Sequence, residues 1–269
     1  MSSDIHADFD AILHDTTSGS SDIAQRVCQV LKKVPLHDLA KNVEKILEAH
    51  ASMAAVINAV NRTCLNLERD PVPTPRDHGD RVIEDFWREN KDRKHWITLS
   101  NSHGVRRCLA AAPHKLEIKV GISHPDTEGV LTAGHLGKRH RVTIYEDTKL
   151  VGEVQSADAI LIGTDLITDD HIVNKIGSLA LALGANFFDR PFYVMSSGEK
   201  FLTPDLSIFF KVKIDRSGNR LIHYFEPVPR QLVRHIYLTS PPADHPISAT
   251  MRELGEARIA GEENGPENI

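Results

Sequence analysis

Ala159-Ile160-Leu161-Ile162-Gly163-Thr164-Asp165 is the stretch on which the fold turns. Four consecutive apolar residues ended by a glycine have the length of a strand buried on both faces, and the aspartate beyond them falls at its carboxyl end. Working outward, similar runs recur at 96–99, 116–122, 142–145 and 192–195, and between most of them lie helix-period stretches at 104–112, 127–138 and 172–187. Strands alternating with helices predict βαβ units, a mostly parallel sheet and helices on both of its faces: an α/β fold over 78–240. An apolar stretch at 233–238 is expected to add an edge strand. The alternating segment 211–224, with Asp215-Arg216-Ser217-Gly218 as its turn signal, is expected to form a hairpin insertion.

Upstream the period changes. Ile23, Val27, Val30 and Leu31, then Leu39, Val43, Ile46 and Leu47, then Val56, Val60, Cys64 and Leu67 repeat at three and four residues, which predicts a helical domain over 21–75. Three prolines between Asp70 and Asp77 make a stiff linker. Residues 1–20 and 241–269, polar and short of apolar periodicity, are expected to be a flexible arm and a flexible tail.

The net charge of −5 argues against a direct, general hold on nucleic acid. No apolar run approaches the ~20 residues that span a bilayer, so no membrane association is expected. The first ten residues carry acids where a secretory signal carries bases, and a cytoplasmic setting follows. Cys28, Cys64 and Cys108 form no CxxC pair or zinc pattern, and no metal or cofactor is expected. Glycine-rich nucleotide loops, the nucleophile elbow and HExxH are absent.

In parallel α/β sheets ligands bind beyond the carboxyl ends of the strands. Ser100-Asn101-Ser102-His103-Gly104 follows the first strand and precedes Arg106 and Arg107; it reads as an anion-binding helix start or, more commonly, as a plain cap. In Ser123-His124-Pro125-Asp126-Thr127-Glu128-Gly129, His124 is either a phosphate donor or a solvated turn histidine. Asp165 is a proton-transfer carboxylate or a turn residue held by backbone N–H groups. Asn174 and Lys175 are placed near the start of a helix whose apolar face runs Ile176, Leu179, Ala180, Leu183 and Phe187; they suit a sugar hydroxyl or a phosphate, or Lys175 is simply solvated. Lys138-Arg139-His140-Arg141 reads as a solvated helix end.

Taken in order, Gly163-Thr-Asp165, Ile172-Val-Asn174-Lys175-Ile-Gly177-Ser178, Pro191-Phe-Tyr-Val194 and Lys200-Phe201 resemble the family that joins the α, β and δ regulatory subunits of translation initiation factor 2B with two sugar-phosphate isomerases. Those isomerases act on methylthioribose 1-phosphate and ribose 1,5-bisphosphate. Ser123-His-Pro125 with Glu128-Gly129, Phe225-Glu-Pro-Val-Pro229 and His50-Ala-Ser-Met53 extend the resemblance over roughly residues 22–240.

The resemblance implies a helical N-terminal domain, a Rossmann-like second domain, and assembly as a homodimer or with related subunits. It implies a pocket for a phosphorylated sugar or nucleotide. Asp165 takes the isomerases' catalytic position, and Asn174 and Lys175 contact substrate, with Gly163, Asn101, His103, His124 and Lys200 as further binding residues. The isomerase motif after the first strand is Thr-His-Cys; here Ser102 stands at the cysteine, and serine is a far weaker acid. His124 stands at the family's arginine. The expected function is therefore a regulatory-subunit-like protein that keeps the pocket, with an aldose–ketose isomerase acting through Asp165 and Ser102 as the alternative.

Overall fold

A computed structural model describes residues 3–15, 20–68, 76–212, 214–217 and 219–263. The proline-rich linker as far as Pro75, and Gly218 of the turn signal, lie outside the described residues. In chain order the elements begin with α1 (Ser3–Leu13), α2 (Ser20–Leu31), α3 (Leu39–Ala49), α4 (Ala54–Leu67) and α5 (Gly79–Glu89). Next come β1 (His95–Thr98), α6 (His103–Ala110), β2 (Glu117–Gly121), α7 (Gly129–Leu136), β3 (Arg141–Tyr145) and α8 (Asp147–Gly152). Then follow β4 (Ala159–Ile162), β5 (Leu166–Ile167), β6 (His171–Lys175), α9 (Ser178–Phe187), β7 (Phe192–Ser196) and α10 (Pro204–Ser207). The last are β8 (Ile214–Ser217), β9 (Arg220–His223), β10 (Phe225–Pro229), β11 (His235–Leu238) and α11 (Ala249–Glu263).

The chain divides into two compact units. One comprises 1–74, 201–211 and 243–269; the other comprises 75–200 and 212–242. In the first, α2 packs on α4, and Ile23, Val27, Val43, Ile46, Val56 and Val60 of the anticipated stripes are fully buried. Two features differ from the sequence reading. The expected arm contains α1, with Phe9 and Ile12 buried. The expected tail contains α11, which packs against α3 and α4 with Met251 buried. Asn61 fastens it, donating to the Pro246 carbonyl (3.0 Å) and accepting from the Ser248 N–H (2.8 Å). Hydrogen bonds from one interior amide supply what a weak apolar period does not.

The second unit holds a six-stranded sheet in the order β3-β2-β1-β4-β7-β11, every pair parallel. The stretch 233–238 is indeed an edge strand. This is the doubly wound order, which grows one way from β1 and the other way from β4. Right-handed crossovers then place α6 and α7 on one face and α8 and α9 on the other. Trp96, Phe86, Tyr193 and Tyr237 form the aromatic centre of the first face. A second, three-stranded sheet, β10-β6-β5, is antiparallel, and β8 and β9 make the hairpin expected between 211 and 224.

His140, read as part of a solvated basic run, is 4 % exposed. Its Nδ1 accepts the Leu116 N–H (3.2 Å), and its Nε2 donates to the Leu109 carbonyl (2.8 Å). The bond that Nδ1 accepts requires the neutral ring, and burial lowers its pKa below 6.5. His50, tied to the Ile12 carbonyl at 2.8 Å, is lowered for the same reason. A histidine whose folded pKa is depressed contributes stability that is complete above about 6.5 and is lost as the pH falls toward the folded value. Urea unfolding is therefore expected to show stability falling by up to about 1.4 kcal/mol per pH unit for each histidine below pH 6.5. Stability that is flat between pH 7.5 and 5.5 would contradict this.

Candidate functional site

The strand order reverses between β1 and β4, which opens a crevice at their carboxyl ends. The loops after these two strands carry Ser100–Ser102 and Gly163–Asp165. They touch: a Cβ built on Gly163 would lie 2.6 Å from both Cβ and Oγ of Ser102, so only glycine fits there. Ser102 takes the capping alternative, its Oγ accepting the Val105 N–H of α6 at 3.5 Å. Backbone strain gathers around the crevice, with φ of +69° at Ser100, +69° at Ser123 and +58° at Thr127. Ser123 Oγ accepts the Ser100 N–H at 2.8 Å and so ties the β1 and β2 loops together.

Asp165 lies across from Lys200, whose Nζ is 3.0 Å from Oδ1; the side chains are 25 % and 14 % exposed. Asn174 and Lys175 end β6 and do not start a helix as the sequence reading has it. Their register with Glu226 and Phe225 of β10 extends the chain, and Gly177, at φ +100°, then turns it into α9. The face of α9 shifts accordingly: Leu181, Ala182 and Ala185 are buried, while Leu183 and Phe187 are exposed.

The Lys175 side chain is only 4 % exposed. Its Nζ lies 3.1 Å from Asp126 Oδ2 and 3.1 Å from Glu128 Oε1, and the rings of Tyr224 and Phe225 are centred 5.5 and 5.2 Å away. Glu128 Oε1 also accepts from Ser100 Oγ at 2.8 Å, whereas its buried Oε2 has no hydrogen-bond partner among the described residues. Asn174 Nδ2 donates to Ser178 Oγ at 2.9 Å. Asn101 Oδ1 lies 3.1 Å from the hydroxyl of Thr132, which donates to the Ser100 carbonyl.

Two other expected residues stand apart. The imidazole of His124 is 56 % exposed and lies 3.3 Å from Glu146, so the anion it meets is a side chain of this protein. His103 is exposed on the outer side of α6. Cys108 is fully buried against the aromatic core, where burial pushes its thiol pKa far up, so it does not replace the missing thiol.

Asp126, Glu128, Tyr224 and Phe225 complete the Lys175 cluster and were not singled out as site residues from the sequence. Glu128-Gly129 and Phe225-Glu226 do belong to the ordered motifs, which was the available signal. Glu226 closes the α9 N-terminus, its Oε1 accepting the N–H of Gly177 (2.7 Å) and of Leu179 (2.9 Å). Glu226→Ala is expected to cost about 1–2 kcal/mol of stability, read as a shift in the urea midpoint. An unchanged midpoint would show that the cap is replaced by water.

Among the described residues no group of three or more His, Cys, Asp or Glu is placed to hold a metal ion, and no helix is long and apolar enough to cross a membrane. The site thus offers a carboxylate–ammonium pair at the crevice and a second, buried ammonium held by two carboxylates.

Compared with known proteins, residues 16–210 match the Initiation factor 2 subunit family. A Pyrococcus abyssi protein described as translation initiation factor eIF-2B subunit 2-like is 25 % identical over 240 residues, covering 81 % of this chain and 87 % of that one. In structure, the Pyrococcus horikoshii OT3 translation initiation factor eIF-2B superposes with a TM-score of 0.69 at 20 % identity, over 89 % of this chain and 96 % of the other. The 5-methylthioribose 1-phosphate isomerase of the same organism gives 0.62 at 14 % identity, over 96 % and 88 %. At these identities the two superpositions show a shared fold.

Proposed function

Because the chain belongs to the Initiation factor 2 subunit family, we propose that it is a regulatory-subunit-like protein whose crevice binds a phosphorylated sugar or a nucleotide. The observation that carries this reading is Lys175, a buried ammonium whose partners are two carboxylates and two aromatic rings. Asp126, 55 % exposed, is the partner that can yield to an incoming phosphate, while Glu128, 18 % exposed and bonded to Ser100, stays in place. Ser102 supplies no thiol, which weighs against the isomerase chemistry. Calorimetry with ribose phosphates, methylthioribose phosphate and nucleoside monophosphates tests this. At least one is expected to bind saturably, with binding lost in Lys175→Ala and tightened in Asp126→Asn. Absence of binding by all of them, or binding indifferent to Lys175, would overturn the proposal.

The Asp165–Lys200 pair favours a second reading, an aldose-phosphate to ketose-phosphate isomerase. Asp165 would carry a proton from C2 to C1 of the ring-opened sugar while the hydroxyl proton on O2 passes to O1, leaving its formula unchanged. A coupled ketose assay decides: turnover abolished by Asp165→Asn supports it, and turnover undiminished by that change sinks it. The family resemblance further supports assembly as a homodimer or with related subunits, in the cytoplasm. A single monomeric species at micromolar concentration in analytical ultracentrifugation would count against self-association.

A further inference from the structure

On the outer side of α6, lined by none of the residues of the Lys175 cluster, runs an open groove of about 470 Å³. His103, Arg106 and Arg107 line it from successive turns of α6, and His135 lines it from α7. Arg106 is the unusual member. Its Nε is buried without a hydrogen-bond partner, and no ion pair engages its guanidinium among the described residues. The Nε itself is closed to solvent, so a ligand in the groove would meet the terminal nitrogens of this guanidinium.

Arg107 shows what the groove accepts. Its guanidinium lies 3.2 Å from Asp77 Oδ2 and 2.6 Å from Asp80 Oδ1, and those aspartates are 63 % and 89 % exposed. Exposed pairs of this kind are weak and exchangeable. Two planar forks, one unengaged and one holding displaceable carboxylates, match a tetrahedral oxyanion. The volume suits a small molecule, and the negative net charge of the chain argues against a nucleic acid.

We propose that this groove is a second binding site, distinct from the crevice, for a phosphoryl group carried by a small molecule. Arg106 is its principal ligand, Arg107 turns to it from Asp80, and His103 and His135 donate at the rim.

The test uses the full chain at fixed ionic strength with inorganic pyrophosphate as the probe. Calorimetry is combined with NMR of the imidazole nitrogens. Saturable binding is expected to move the His103 and His135 resonances. Arg106→Gln, checked for an unchanged melting temperature, should weaken binding about tenfold or more. Asp80→Asn should tighten it, since an internal competitor is removed. Unsaturable binding, equal affinity in wild type and Arg106→Gln, or resonance changes confined to residues around Lys175 would each overturn the proposal. A phosphoserine peptide that binds where pyrophosphate does not would overturn the small-molecule assignment.

Discussion

Lys175→Met is expected to lower unfolding free energy by about 3–5 kcal/mol in urea titrations, the usual range when one partner of a buried ion pair is removed. Methionine keeps the chain length and the contact with Tyr224 and Phe225, but it leaves Glu128 facing Asp126 with no cation between them. Asp126 is half exposed and relaxes into water, so most of the loss falls on Glu128, whose second oxygen already lacks a partner. The cycle is informative in the other direction. Glu128→Gln on the Lys175→Met background should recover most of the stability without recovering ligand binding. If the double variant is no more stable than the single one, Lys175 is not held in the way described.

Phe86→Ala should cost about 3–5 kcal/mol, and the upper end of that range is expected. Phe86 is fully buried on α5. Its ring is centred 5.2 Å from Trp87, 5.4 Å from Trp96, 5.9 Å from Tyr193 and 5.0 Å from Tyr237. Among the described residues it is the one ring that meets aromatic side chains of β1, β7 and β11 together with its own helix neighbour. Removing it leaves a cavity and breaks edge-to-face contacts worth about 0.5–1.5 kcal/mol each. Near-ultraviolet circular dichroism should weaken along with the denaturation midpoint. Phe86→Leu should cost less, because it fills part of the space. A loss below about 1 kcal/mol for the alanine variant would mean that the cluster repacks.

What the sequence made legible follows from burial. β4 and its neighbours were readable because strands covered on both faces are continuously apolar, as in Ala159–Ile162. β6 was not, because it ends in Asn174-Lys175, and its partner β10 contains Pro227 and Pro229. α1 and α11 were missed because each buries only a few residues, and α11 is anchored through Asn61. At the site, Asp165 and Lys175 could be singled out locally. Their pairings could not: Lys200, named through the family resemblance, and Asp126, named only as a helix cap, lie 35 and 49 positions from their partners, and the strand order brings each pair together. Ser102 was legible in identity, while its use as a cap depended on the turn that starts α6.

Both units are discontinuous in sequence, since 201–211 and 243–269 belong with 1–74. During synthesis, α3 and α4 emerge long before α11, the helix that packs on them, whereas every strand of the parallel sheet has been made once β11 leaves the ribosome. The unit begun first is therefore completed last. Cutting the chain after the sheet would strip the helical unit of the helix that packs on α3 and α4. Fragments for study are better made by circular permutation, with new ends in the β8–β9 turn, than by excising either unit as a contiguous piece.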